Sequence, residues 1–167
     1  GISASADVAT SLTYFEVEDA VSAYPKFDNE KTIKALDAGQ IVFTTRPGQR
    51  VVIEQDINSL HKFTAEKPQA FSKNRVIRTL DEIATNTENT FERTYLGNVG
   101  NNAAGRDLFK ADRIAYLTSL QNRNMIQSFA NTDITVEAGN DMDSIVVNLA
   151  VTPVDAMEKL YMTMVVR

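Results

Sequence analysis

The sequence predicts a mixed α/β (α+β) fold: a small sheet with terminal strand pairing packs against two long helices, preceded by a short helix and a hairpin. Three observations carry this reading. Apolar residues recur at three- and four-residue steps between Lys73 and Arg123, they alternate with period two from Ile134 onward, and Pro47-Gly48 separates two β-branched runs.

In chain order, Leu12 to Tyr24 mixes Leu12, Tyr14, Val17, Val21 and Tyr24 with Glu16, Glu18 and Asp19 without a clean period, and reads as part extended chain, part loop. Asp28 then supplies an acidic N-cap, Ile33 and Leu36 an apolar pair and Gly39 a stop, placing a short helix at Asn29 to Ala38. Ile41 to Thr45 and Arg50 to Gln55 form a hairpin around Arg46-Pro47-Gly48-Gln49. The polar stretch Asp56 to Gln69 is a connector with one helical turn near Asn58 to His61.

Ser72 reads as the N-cap of a long helix from Lys73 toward Leu96, because Val76, Ile77, Leu80, Ile83, Ala84, Thr87, Phe91 and Tyr95 keep a helical step; Gly97 ends it. A second helix, Ala103 to Arg123, gathers Phe109, Tyr116, Leu117 and Leu120 on one face. Leu108, Ala111 and Ala115 point elsewhere, so this helix is expected to be covered on two sides. Strands follow. Ile134 and Val136 alternate, as do Ile145, Val147, Leu149 and Val151 with Val146, Asn148 and Ala150, and Pro153-Val154-Asp155 is a bend. Leu160, Met162, Met164 and Val166 then alternate with Tyr161, Thr163 and Val165. Both faces of this last strand are apolar or aromatic, so alone it exposes an edge that needs a partner.

Composition narrows the function classes. With 167 residues, 43% of them hydrophobic, the chain can bury a core without a metal or a disulfide. The absence of Cys excludes thiolate nucleophiles, disulfides and Cys-ligated metal sites. A formal net charge of -5 is the wrong sign for a phosphate backbone, so nucleic acid is not an expected partner. The charge is uneven, -3 over residues 1–72, +2 over 73–125 and -4 over 126–167, a pattern that suits self-complementary surfaces as well as solvated helix faces. No window approaches the roughly 18 apolar residues of a membrane span, so no membrane partner is expected. Starting at Gly1 in a small-residue run, the sequence is expected to be a portion of a longer or processed protein.

Candidate chemistry is sparse. The only imidazole, His61, sits in the polar connector, where an exposed or locally bonded role is the default and no partner for nucleophilic catalysis is apparent. The string Leu96 to Arg106 carries Gly97, Gly100 and Gly105 before a helix but lacks a preceding strand and the Walker Lys-Ser/Thr pair, and reads as an interhelical turn. Asn140, Asp141 and Asp143 resemble the start of a calcium loop without its Gly and closing Glu, and read as a strand-to-strand turn. The pairs Glu54 with Asp56 and Asp81 with Glu82 have no pocket that would tune them for acid–base work. Neither catalytic, cofactor-binding nor metal residues are expected. Lys73, Arg75 and Arg78 cluster within two turns, as a solvated face or as a contact with an acidic protein.

Five ordered blocks carry a resemblance. Val52 to Leu60 (VIEQDINSL), Phe71 to Asp81 (FSKNRVIRTLD), Tyr95 to Val99 with Asn101-Asn102 and Gly105-Arg106, Pro153 to Met162 (PVDAMEKLYM), and the opening segment with Ser11 to Tyr14 (SLTY) resemble the C-terminal region of contractile tail sheath proteins of phages and phage-like particles. The resemblance implies the C-terminal portion of a sheath subunit, with residues 1–28 leading in and 29–167 forming the inner, tube-facing domain. It implies helical homo-oligomers around a tail tube protein, bounded by baseplate and tail terminator proteins, in a virion tail or phage-like particle assembled in the host bacterial cytoplasm. No cofactor is implied. The sheet is expected to be completed by arms exchanged between neighbours. Residues 158–167 are the candidate arm, with Leu160, Tyr161, Met162, Thr163, Met164, Val165 and Val166 as its strand. Ile145, Val146, Val147, Asn148 and Leu149 are the receiving strand, and the alternative for the isolated chain is an intramolecular hairpin closed at Pro153-Val154-Asp155. Lys73, Arg75 and Arg78, or Arg106, Lys110 and Arg113, are candidate contacts with the tube or a neighbour. Other readings are a sheath component of a related contractile secretion or injection machine, a non-catalytic binding module and a small hydrolase.

Overall fold

Two groups of contacts organise the chain in a computed structural model that describes residues 6–48 and 50–166. One unit comprises Gly1–Ile77 with Asp155–Arg167, the other Arg78–Val154. Gln49 of the expected turn and Arg167 of the expected arm lie outside the described residues.

In the first unit, helix α1 spans Asn29–Asp37, with the Asp28 carboxylate accepting from the Lys31 amide at 2.8 Å and Gly39 following at φ +72. Strands β1 (Phe43–Arg46) and β2 (Arg50–Ile53) pair antiparallel, Phe43 opposite Ile53 and Arg46 opposite Arg50, and Gly48 takes φ +84 in the loop between them. The segment expected to be partly extended runs along the other edge of β2: Tyr14 N donates to Ile53 O, Ile53 N to Phe15 O and Val17 N to Val51 O. β2 buries Val51, Val52 and Ile53, side chains that alternate between its two faces, and this burial of both faces is why its apolar run is continuous rather than alternating.

The connector forms no helical turn at 58–61. Asn58 instead accepts the Leu60 amide on Oδ1 and donates Nδ2 to Phe71 O, an Asx turn that competes with helix formation. A 3₁₀ turn follows at Gln69–Ser72, and helix α2 runs over Asn74–Thr90. Ser72 does not cap α2, since its hydroxyl turns back to donate to Gln69 O at 2.7 Å.

In the second unit, α2 passes into a π-helical turn, Phe91–Tyr95, before Gly97 reverses the chain at φ +72. Helix α3 spans Ala103–Asn122 and is capped by Asn102, whose Oδ1 accepts from Gly105 N at 2.9 Å. Phe109, Leu117 and Leu120 of α3 are buried with Met125, Ile126 and Ile134. Phe109 meets Phe91 and Tyr95 edge-on at 5.7 and 4.8 Å between ring centroids. Among the described residues one side of α3 is covered: Leu108, Ala111 and Ala115 are exposed, contrary to the expectation of two covered sides.

Strand β3 (Ile126–Gln127) pairs with β6 (Thr152–Pro153), a two-residue ladder inside the expected bend. Strands β4 (Ile134–Ala138) and β5 (Ile145–Leu149) form an antiparallel hairpin with Ile134 opposite Leu149 and Ala138 opposite Ile145, and β4 packs on α3. Residues 160–166 form no strand in the chain. Among the described residues they make no backbone hydrogen bond, so the intramolecular hairpin is not formed.

Candidate assembly surface

The segment after Asp155 is tied down at one point and open beyond it. Glu158 Oε1 accepts hydrogen bonds from Ser11 Oγ at 2.8 Å and Thr13 Oγ1 at 2.7 Å, and Oε2 pairs with the Lys73 ammonium. Its side chain is 8% exposed, and Lys73 also faces Asp155 Oδ2 at 4.0 Å. Burial pushes the Glu158 pKa up, but the hydrogen bonds from Lys73, Thr13 and Ser11 and the ammonium charge outweigh it and hold the carboxyl below its ordinary value. Past this point Leu160, Met162, Met164 and Val166 are 69–93% exposed, and so are Tyr161 and Val165 on the opposite side of the alternation.

The candidate receiving strand is β5. Ile145, Val147 and Leu149 are half-buried on one face, Val146 and Asn148 exposed on the other, and among the described residues β5 pairs with β4 alone, which leaves one edge open. Against the same strand lies an open groove of about 470 Å³ bordered by Ala84, Thr87, Phe91 and Leu96 together with Ile145 and Val147.

The six candidate cations separate. Arg75 is buried and its Nε donates to Ala9 O at 3.0 Å. Arg113 is buried too: Nη1 donates to Asn86 Oδ1 at 3.0 Å, Nη2 pairs with Asp112 at 2.8 Å, and the guanidinium lies over the rings of Phe109 and Tyr116. These two arginines join elements within the chain, which corrects their assignment as outward contacts. Lys73 is engaged with Glu158. Arg106 bonds Asn101 Oδ1 at 3.1 Å, and Arg78, Arg106 and Lys110 are half-buried.

The remaining polar groups have structural partners. His61 is exposed with Nδ1 3.1 Å from Ser59 O. Glu54 binds Arg46 and Thr44; Asp56 accepts from Leu12 N and Asn74 Nδ2; Glu82 accepts from the Tyr116 hydroxyl at 3.3 Å. Burial and Glu82 push the Tyr116 pKa up to about 12. Asn101 Nδ2 donates to Met142 O and Ser144 O, fastening the glycine-rich turn to the β4–β5 turn. Among the described residues no three His, Cys, Asp or Glu side chains gather as metal ligands, and no helix is long and apolar enough to cross a membrane. Glu158 is the residue of this surface that sequence patterns did not single out, because its partners lie 85 to 147 positions away.

Residues 1–59 match the phage tail sheath protein central domain and residues 66–167 the phage tail sheath C-terminal domain. The chain is 40% identical to a solved sheath tail protein of Desulfitobacterium hafniense, at TM-score 0.82 over 96% of this chain and 37% of that one. It is 34% identical to the sheath tail protein Lin1278 of Listeria innocua, at TM-score 0.84 over 98% of this chain and 39% of that one. The phage-like element PBSX protein XkdK of Bacillus subtilis is 34% identical over 96% of this chain, which spans 36% of that relative's length. Open on one edge of its small sheet and similar over nearly its whole length to sheath proteins, the chain belongs to the phage tail sheath protein family.

Proposed function

We propose that the protein containing this chain is the structural subunit of a contractile tail sheath. It polymerises helically around a tail tube protein, between baseplate and terminator proteins, and contracts to drive the tube through a target envelope. It acts in a virion tail or phage-like particle assembled in the host bacterial cytoplasm, without a cofactor, catalytic residue, nucleic acid or membrane contact. Residues 29–167 form the inner layer facing the tube.

Family membership supports the assembly. One observation carries the linkage: among the described residues, Leu160 to Val166 is an exposed, largely apolar run with no backbone partner, while β5 has an open edge. A strand added to that edge gains main-chain hydrogen bonds for affinity and alternating side chains for register. In that pairing Leu160, Met162, Met164 and Val166 share one face and Tyr161, Thr163 and Val165 the other. Arg78, Arg106 and Lys110, half-buried rather than buried, are the candidate contacts with the tube or a neighbour.

The test is electron microscopy of the full-length protein, intact and lacking residues 159–167. Regular tubes from the intact protein and dispersed, folded subunits from the shortened one are expected. Tubes of normal length from the shortened protein would sink the arm assignment.

A further inference from the structure

We infer that Lys73, Ser11 and Thr13 form a clamp on Glu158 that anchors the root of the C-terminal arm, so that tension on the arm is delivered to the start of α2 and the lead-in segment rather than to the β3–β6 ladder. The inference rests on the reading of Leu160 to Val166 as an exchanged arm.

Three features of the first unit support it. Glu158 is the last residue before the exposed run that makes a side-chain hydrogen bond or ion pair among the described residues, and it makes three, two from hydroxyls and one from an ammonium. Charge-assisted bonds at a nearly buried carboxylate are the stronger class of hydrogen bond. The exposed apolar run begins two residues later, at Leu160.

The clamp's members are themselves held. Thr13 Oγ1 accepts the Asp56 amide at 2.9 Å, Leu12 is buried and its amide donates to Asp56 Oδ2 at 3.1 Å, and Asn74 Nδ2 reaches Asp56 Oδ1 at 2.8 Å. Lys73 immediately precedes α2, and its backbone bridges to Ile57. The lead-in segment and Lys73 therefore meet the arm root at the Glu158 carboxylate, and the same lead-in segment and the start of α2 meet the residues after β2 at Asp56.

What lies upstream of the clamp is weak by comparison. Going back along the chain from Glu158, regular strand pairing among the described residues resumes at Thr152–Pro153, a ladder of two residues, and Val154 N donates to Met125 O at 3.0 Å. A strand pulled from its end opens one bond at a time, so an unanchored arm would peel this ladder before it loaded any packed element. Glu158 stands between the pull and the ladder.

Full-length Glu158→Gln and Lys73→Met variants test this, with the charge-swapped double variant Glu158→Lys/Lys73→Glu as rescue. Asp155 remains beside Lys73 in Glu158→Gln, so the ammonium keeps a carboxylate neighbour. The first readout is made on unassembled subunits: spin labels on cysteines at Lys31 and Leu160, both exposed and both in the first unit, report the spread of distances between α1 and the arm root. The second is the number of intact sheaths by electron microscopy. A narrow distribution in the parent is expected to broaden in each single variant and narrow again in the swap. Sheath yield should fall about tenfold in the single variants, the loss expected from one charge-assisted bond, and recover in the swap. Equal widths in the parent and Glu158→Gln would overturn the clamp. Broadened widths with unchanged sheath yield would overturn its role in carrying tension. Failure of the arm reading is distinguishable, because deleting residues 159–167 would then leave sheaths intact while the distance widths at a label on Met157 still responded to Glu158→Gln.

Discussion

Gly105, in the first turn of α3, lies so close to Gly100 that a Cβ placed on it would stand 2.1 Å from the Gly100 carbonyl oxygen. The contact is with backbone and cannot be relieved by a side-chain rotation. Gly105→Ala is therefore expected to destabilise the isolated chain by about 1–3 kcal/mol, the usual range for overpacking, measured by urea denaturation. Gly97 offers the contrast, since nothing lies within 4 Å of its Cβ position and only its φ of +72 opposes a side chain. Gly97→Ala should cost less, about 1 kcal/mol.

Arg113→Ala should lower stability by about 2–3 kcal/mol, since it removes a buried guanidinium that bonds Asn86 and Asp112 and covers two aromatic rings. Arg113→Lys should recover only part of this, because an ammonium lacks the planar fork that reaches both partners. Lys110→Ala, on a half-buried side chain, should stay within about 0.5 kcal/mol. Thermal denaturation followed by circular dichroism checks all three.

The acid limb of stability should carry the signature of Glu158. A carboxyl held below its ordinary 4.5 contributes stability above that pH, and the contribution is lost as pH falls through the lower folded value. The charged groups around it are Lys73 and Asp155, the latter more exposed. The melting temperature of the parent should fall more steeply below about pH 4.5 than that of Glu158→Gln. Parallel curves would contradict the assignment.

The basic limb belongs to Tyr116. Its pKa is pushed up to about 12 from 10.0, so the folded state keeps a proton that the unfolded chain releases earlier. Stability from this group is present below pH 10 and is lost as pH rises toward 12. Ultraviolet difference titration should show a tyrosine ionising near pH 12, and Glu82→Gln should bring that midpoint down by removing a neighbouring negative charge.

Met164→Glu in the full-length protein should block sheath formation, because a charge buried between paired strands is costly. The same change should leave subunit stability within about 0.5 kcal/mol, since Met164 is 77% exposed in the chain. Sedimentation of assembled material against the melting temperature of subunits separates the two effects.

Local signals made much of the fold legible. Asp28 and Gly39 bracketed α1, Pro47-Gly48 marked the hairpin, and the apolar face through Phe109, Leu117 and Leu120 defined α3, because each signal lies within a few residues of what it controls. Where two local partners competed, the sequence did not decide between them. The Ser72 hydroxyl chose Gln69 O over capping α2, and Asn58 built an Asx turn where one helical turn was expected. Long-range pairing was least legible. Pro153 read as a bend, yet it sits opposite Ile126 in a ladder. Arg75 and Arg113 read as surface charge, yet each is buried against an acceptor 66 or 27 positions away. The apolar run from Leu160 was visible as period two, but a strand needs a partner, and its own chain supplies none among the described residues.

Arm exchange is tested most directly by a helical reconstruction of sheaths of the full-length protein at side-chain resolution. Residues 160–166 of one subunit should run beside residues 145–149 of another, in continuous main-chain hydrogen bonding with the open edge of β5. Density that folds residues 160–166 back onto their own subunit, or leaves the edge of β5 unpaired in the assembled sheath, would contradict it.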